Sequence, residues 1–255
     1  MFQILDRQQA EQAFHDQQAA ERAVAFARGQ AHLTFRDRDY LEHETWIGPA
    51  FSRLGELTGL EVLDYGCGHG MAAVVMARRG ARVTAFDLSP GYVAETQRRA
   101  TVNGVPVRSV VADAEQLPFA DASFDRIWGN AVLHHLDLHR AGAELWRVLK
   151  PGGWAVFCEP WGENPILRFA RAHLPYPGKQ RTVHEQPLTR QTLQPLKRWF
   201  PKLECQGFQL LGMCRRLRIP RAMLTVLDRT DQWLLPRFPV LENWCRYLVL
   251  KLPRG

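Results

Sequence analysis

Between residues 61 and 159 short apolar runs alternate with longer amphipathic stretches. Val62-Leu63-Asp64-Tyr65 is the first run, and it stops at Gly66. Ala81 to Phe86, Val107 to Ala112, Phe124 to Gly129 and Trp154 to Cys158 repeat the pattern. Short runs rich in β-branched and aromatic side chains, bounded by turn residues, read as strands. The stretches between them, such as Met71 to Arg79, read as helices. Alternation of this kind predicts an α/β fold, with a parallel sheet covered by helices on both faces.

The ends of the chain follow other rules. Residues 6–28 are rich in alanine and glutamine and read as a helix closed by Gly29. Residues 33–58 carry Tyr40, His43, Trp46 and Phe51, rings that either cover a ligand or pack on the sheet. Beyond residue 160 a short helix is predicted over 163–173 and a loop over 174–187. A helix from an N-cap at Thr189 to Phe200 follows, with Leu193, Leu196, Trp199 and Phe200 as its apolar face and Pro195 as a kink. A strand is expected from Leu203 to Met213, and an amphipathic helix over 221–235. A last strand from Tyr247 to Leu252 should pair antiparallel with the 203–213 strand. The organisation read from this is a helical N-terminal lid (1–58), a ligand-binding core (59–160), a cap insertion (161–202), and C-terminal strands with a basic amphipathic helix (203–255).

The densest chemical signal is Asp64-Tyr65-Gly66-Cys67-Gly68-His69-Gly70. Glycine lacks a Cβ and tolerates positive φ, so a ligand can approach bare backbone at such a turn. A dinucleotide site wants G-x-G-x-x-G facing a diphosphate. Here the third glycine comes one residue early, and a carboxylate, Asp64, precedes the turn. A carboxylate suits a cationic ligand. Asp87 ends the second strand, where an acid can accept hydrogen bonds from ribose hydroxyls. Asp113 follows the third strand, and Leu149-Lys150-Pro151-Gly152-Gly153 precedes the fifth. Each of these alone is also an ordinary turn, N-cap or solvated acid; their order over residues 61–159 carries the inference.

That order resembles the class I S-adenosylmethionine-dependent methyltransferases, in their broad small-molecule ("type 11") branch. The resemblance implies a Rossmann-like seven-stranded, mostly parallel sheet with an antiparallel final strand, and a helical cap over the acceptor site. It implies S-adenosyl-L-methionine as cofactor, with contacts from Asp64, Gly66, Cys67, Gly68, Gly70, Asp87, Leu88, Asp113, Ala114, Asn130 and Tyr40. Methyl transfer from a sulfonium is a direct displacement, so orientation supplies much of the catalysis. A base is required only where the acceptor must lose a proton. Candidates are His134 and His135 after the fourth strand, Glu159 at the end of the fifth, and His184 within Arg181-Thr182-Val183-His184-Glu185. Each has a plainer reading, as a structural or capping residue. Cys67 reads as a small filler.

Composition narrows the setting. The 46% apolar and 23% charged content is that of a globular chain, and 255 residues suffice for a sizeable core. No apolar run is long enough for a membrane span, and the polar, glutamine-rich start is unlike a signal peptide. Five cysteines without C-x-x-C spacing argue against a disulfide framework or zinc site and for a reducing compartment, so no metal is expected. Residues 1–160 hold 16 Lys/Arg against 20 Asp/Glu, and residues 161–255 hold 17 against 6, giving the overall +7. The basic part mixes arginines with Trp233, Phe238, Trp244 and Tyr247, which suits peripheral contact with an anionic membrane. Nucleic acid is disfavoured as acceptor. Gly129-Asn130-Ala131-Val132 stands where the family's adenine-modifying members carry a Pro-Pro motif, and no RNA-binding module is present. The expected protein is a cytoplasmic or membrane-associated enzyme acting on a small hydrophobic or lipid-like acceptor. A nucleic-acid methyltransferase and a non-catalytic cofactor-binding subunit are the alternatives.

Overall fold

The structure is a computed structural model and describes residues 2–173, 186–217 and 219–255. Its described residues form a seven-stranded sheet in the order β3-β2-β1-β4-β5-β7-β6. The strands are β1 (Glu61–Tyr65), β2 (Arg82–Asp87), β3 (Val107–Val111), β4 (Phe124–Asn130), β5 (Leu149–Pro160), β6 (Glu204–Phe208) and β7 (Tyr247–Pro253). Pairs among β1 to β5 are parallel, and β7 lies antiparallel between β5 and β6. The expected fold class is therefore the observed one.

Period-two alternation assigns the two faces of β1. Leu63 and Tyr65 join Phe86, Ile127 and Phe157 in one cluster, while Val62 joins Val83, Trp128 and Val156 in the other. The first cluster is covered by α6 (Leu138–Val148) and α8 (Gln194–Trp199). The second is covered by α3 (Ile47–Ser52) and α4 (Met71–Arg78). The rings of the 33–58 segment go chiefly to packing. Trp46 and Phe51 are buried, and Trp46 stacks on Tyr247 with centroids 3.7 Å apart. Tyr247 is therefore a packing residue rather than a surface aromatic. The long helix α1 (Phe2–Ala27) runs over α5 (Pro90–Val102) instead of the sheet, and the short α2 (Asp37–Leu41) follows it.

Several predicted boundaries move. β5 begins at Leu149, ahead of Lys150-Pro151-Gly152-Gly153, rather than after that segment. The helix assigned to 189–200 starts only at Gln194. Thr189 and Thr192 instead bond each other in a preceding turn. Pro195 thus falls in the first turn, where its missing N–H costs nothing, and no kink results. The strand expected to reach Met213 ends at Phe208, where Gln209 takes φ +59 and Gly212–Arg216 forms a 3-10 turn. The 163–173 and 221–235 helices are observed as α7 (Pro165–His173) and α9 (Arg221–Leu234). Most of the 174–187 loop, with Arg181 to Glu185, lies outside the described residues.

β1 and β4 are neighbours, yet the chain leaves β1 toward β2 and leaves β4 toward β5. The strand order therefore reverses between them, and in open α/β sheets a ligand crevice forms beyond the carboxyl ends at that point. Close packing of the sheet there depends on Gly129. A Cβ at this position would stand 2.2 Å from the Phe157 ring. Gly129→Ala is expected to cost about 2–3 kcal/mol, a fall of roughly 5–10 °C in Tm. Gly152→Ala, at φ +77 with nothing within 4 Å, should cost only about 1 kcal/mol of backbone strain. Thermal denaturation of the two variants checks the contrast, and equal losses would refute it.

Candidate active site

A cavity of about 370 Å³ opens at this switch point. It is within the range of small-molecule sites. Its floor is the β1–α4 turn. Gly66, Gly68 and Gly70 all have positive φ, at +69, +46 and +70. Two are demanded by packing as well, because a Cβ at Gly66 would meet Val132 at 2.8 Å and one at Gly70 would meet Thr96 at 2.5 Å. Gly68 alone has open space where its Cβ would be. Cys67 is buried with Sγ 3.3 Å from Thr96 Oγ1, and burial pushes its thiol well up, so it packs and does not attack.

Four acids define the rim. Asp64 is 2% exposed, and its Oδ2 has no hydrogen-bond partner among the described residues. Burial pushes its pKa up to about 7, opposed by the Ala73 amide and reinforced by Asp87. Asp87 accepts from the Gly68 amide at 2.9 Å and from the Ser89 amide at 3.0 Å, and burial raises its pKa. Asp113 accepts from the Glu115 amide at 2.8 Å and from Gln8 Nε2 at 2.7 Å. Glu115 is buried and pairs with Arg7. The Tyr40 hydroxyl accepts from Trp128 Nε1 at 3.1 Å, and burial then Asp64 raise its pKa well above the usual phenol range. Leu88, Ala114 and Asn130 also line the cavity.

The structure separates the other candidates. Glu159 is fully buried, and its Oε1 accepts from the Val132 and Leu133 amides at 3.0 and 2.9 Å. Its Oε2 lies 2.7 Å from His134 Nδ1. Neither Glu159 nor His134 lines the cavity. They hold the turn after β4, a placement at odds with the catalytic roles considered for them from sequence. His135, on the same turn, does line the cavity. His184 lies outside the described residues.

Residues of α1 form a wall of the cavity; the sequence reading placed this helix in a 1–58 lid but named none of its residues for the site. Arg7, Gln8, Glu11, His15 and Gln18 all line it. Gln18 Oε1 accepts from the Tyr92 hydroxyl at 2.9 Å, and Arg22 pairs with Glu95 at 2.7 Å. Positions 8, 11, 15, 18 and 22 fall at the spacing where a packed helix carries its apolar seam. That seam is polar here because it faces a ligand cavity and a charged helix. The polar stripe was the available signal. His69, in the glycine turn, was the other omission: burial lowers its pKa to about 4, so it is neutral near pH 7.

A doubly wound sheet, a glycine turn open at Gly68 and acids ending β1 and β2 define a nucleotide-cofactor site of the α/β class. Residues 63–157 match the family described as a methyltransferase domain. Malonyl-[acyl-carrier protein] O-methyltransferase from Pseudescherichia vulneris is 38% identical over 138 residues, 54% of this chain and 53% of that protein. Demethylmenaquinone methyltransferase from Thermobifida fusca is 41% identical over 118 residues, 45% of this chain and 49% of that protein. The chain thus spans about half the length of these curated relatives. Geranyl diphosphate C-methyltransferase from Streptomyces coelicolor, crystallised with Mg2+, geranyl diphosphate and S-adenosyl-L-homocysteine, shares the fold. Its TM-score is 0.58 at 20% identity, covering 84% of this chain and 80% of that one. The central domain belongs to the class I S-adenosylmethionine-dependent methyltransferases, enzymes whose cofactor is S-adenosylmethionine.

The Asp64 carboxyl supplies a stability test. Its folded-state pKa, about 7, stands above the ordinary 3.8, so the folded protein holds a proton that the unfolded chain releases. Its contribution is therefore fully present below about pH 4 and is lost as pH rises to about 7. Above that window the buried charge costs on the order of 4 kcal/mol. Asp64→Asn should raise the Tm of the ligand-free protein at pH 8 while changing it little at pH 4. Denaturation across this range checks it; no gain at pH 8 would contradict the placement of a desolvated carboxylate.

Proposed function

We propose that the chain transfers a methyl group from S-adenosylmethionine to a small, hydrophobic acceptor by direct displacement. The observation that carries this reading is the Asp64 Oδ2 atom, buried without a hydrogen-bond partner among the described residues in the cavity that the open backbone of Gly68 also lines. A cationic amino-acid moiety over the turn would neutralise Asp64 and fill the space above Gly68. Asp87 keeps lone pairs for ribose hydroxyls, since each carboxylate oxygen accepts more than one bond. Asp113 and Ala114 would meet the adenine, and Leu88 would pack on it, since all three line the cavity. Tyr40 and Asn130 close the Asp64 end.

The cofactor supplies an activated methyl on a sulfonium that leaves as a neutral thioether. The protein's part is to orient, to exclude water and to accept a proton where the acceptor carries one. Helix α1 supplies part of the cavity wall, and ordering the reactants there can contribute roughly 7–11 kcal/mol. Of the candidate histidines, His135 is the one that faces the cavity among the described residues. His134 and Glu159 position its turn. S-adenosylmethionine affinity should rise about tenfold from pH 6 to pH 8, as Asp64 loses its proton. Asp64→Asn should flatten this slope, and Asp87→Ala should weaken binding at every pH. Isothermal calorimetry reads all three. Unchanged affinity in Asp87→Ala would overturn the ribose placement, and binding with no turnover on any acceptor would favour a cofactor-binding subunit.

The outer surface supports a hydrophobic acceptor reached from a membrane. Among the described residues, most large exposed apolar side chains lie on the C-terminal part. They include Ile166 and Phe169 on α7, and Met223, Val226 and Trp233 on α9. The last three share one face by their spacing. Exposed Arg221, Arg229 and Arg237 border them, and the Arg237 guanidinium sits 4.6 Å over the Trp233 ring. Arg215, by contrast, is engaged with Asp228 at 2.8 Å. No helix among the described residues is long and apolar enough to cross a membrane, so the contact would be peripheral. Demethylmenaquinone and geranyl diphosphate, in the names of two similar proteins, are both isoprenoids. Vesicles containing phosphatidylglycerol should float the protein at low salt and release it at high salt. A Val226→Asp, Trp233→Asp double variant should stay unbound; flotation of that variant, or none of the wild type, would count against this surface.

A further inference from the structure

The wall formed by α1 brings two of its residues to the turn after β4. Glu11 and His15 are one helical turn apart, so both project from the same face. His135 comes from the Leu133–His135 turn. One donor atom from each of Glu11, His15 and His135 lies within 4.8 Å of the other two. His135 Nδ1 is 3.1 Å from Glu11 Oε2, and His15 Nε2 is 3.7 Å from the same oxygen. Donors bound to one tetrahedral ion at about 2 Å stand roughly 3.3 Å apart. Three converging donors at this spacing need only small side-chain adjustments to share an ion.

The contact between Glu11 and His135 is also not a hydrogen bond. It lies at 3.1 Å, yet Nδ1 of His135 makes no hydrogen bond among the described residues. Donor atoms gathered at one place without bonding each other are what a metal site requires. The cluster is shielded, with side-chain exposures of 7% for Glu11, 16% for His135 and 27% for His15. Its support is rigid. Glu159 fixes the turn through two backbone amides and His134, whose ring lies against His135 with centroids 4.1 Å apart. Such supports orient metal ligands. The nearby cation Arg7 is paired with Glu115.

We propose that Glu11, His15 and His135 form a binding site for a divalent transition-metal ion of the zinc class. Two imidazoles and one carboxylate are a borderline donor set with room for further ligands. All three residues line the cofactor cavity, so the remaining positions face the space where an acceptor would lie. An acceptor oxygen, as an enolate, phenolate or carboxylate, is the ligand that fits there. That last assignment rests on the methyl-transfer reading; metal binding does not. The absence of paired cysteines, which argued against a metal from sequence, does not bear on a His/His/Glu site assembled from residues 11, 15 and 135.

The test uses the full chain, stripped with chelator and titrated with Zn2+ alone by calorimetry, and with Co2+ by visible absorption. One equivalent per chain and a structured cobalt spectrum are expected. Glu11→Gln, His15→Gln and His135→Gln should each weaken Zn2+ binding at least tenfold, while His43→Gln and His173→Gln leave it unchanged. His15→Cys keeps a zinc donor and should retain the ion, which guards against a loss caused by misfolding. Circular dichroism of each metal-free variant confirms its fold. No stoichiometric binding, or binding indifferent to the three ligand variants, would overturn the site and mark any ion as adventitious. S-adenosylmethionine calorimetry on the same preparations is read separately. Its failure removes methyl transfer and leaves the metal stoichiometry to stand or fall alone.

Discussion

A parallel sheet ends all its strands on one edge, and the turns that follow leave backbone amides with no partner in the sheet. Satisfying those amides is the constraint on which this structure depends, since an unpaired buried N–H costs about as much as a lost hydrogen bond. Carboxylates do it here. Asp87 takes the Gly68 and Ser89 amides, Asp113 takes the Glu115 amide, and Glu159 takes the Val132 and Leu133 amides. Each ties one connection to the end of a strand or to its neighbour. The cavity walls are thus stitched together by acids before any ligand is considered.

Asp64 departs from that pattern, and the departure gives the site its character. Its Oδ2 is buried in the same edge but has no partner among the described residues, and its pKa stands at about 7. The strain of a desolvated carboxylate is stored where a cation is expected to bind. Glu159 is the opposite case: equally buried, at the end of β5, but fully spent on the turn that carries His135. Two acids at comparable strand ends therefore do different work, and the difference lies in which amides reach them.

The long N-terminal helix extends the same economy. Its seam of Gln8, Glu11, His15, Gln18 and Arg22 meets Asp113, His135, Tyr92 and Glu95 through polar contacts. Such a seam buries little apolar area and so holds the helix less firmly than the core holds α4, whose Ala73, Val74, Val75 and Met76 are fully buried.

The local pattern determined the parts governed by nearest neighbours. The strands, their parallel order, the reversed last strand and the glycine turn were legible because period-two apolar runs, β-branched residues and glycines act within a few positions. The acids at residues 64, 87 and 113 were legible because each stands within two residues of the carboxyl end of its strand. Helix starts near Thr189 and the end of β6 were not, since a threonine pair and a single positive-φ residue outweighed the pattern there. Only the tertiary structure decided which of His134, His135 and Glu159 reaches the cavity, because that depends on side-chain direction around a turn. Only it brought Glu11 and His15 against His135, across more than a hundred residues. Sequence spacing carries no information about contacts that the folded sheet creates, and the residues facing the acceptor are of that kind.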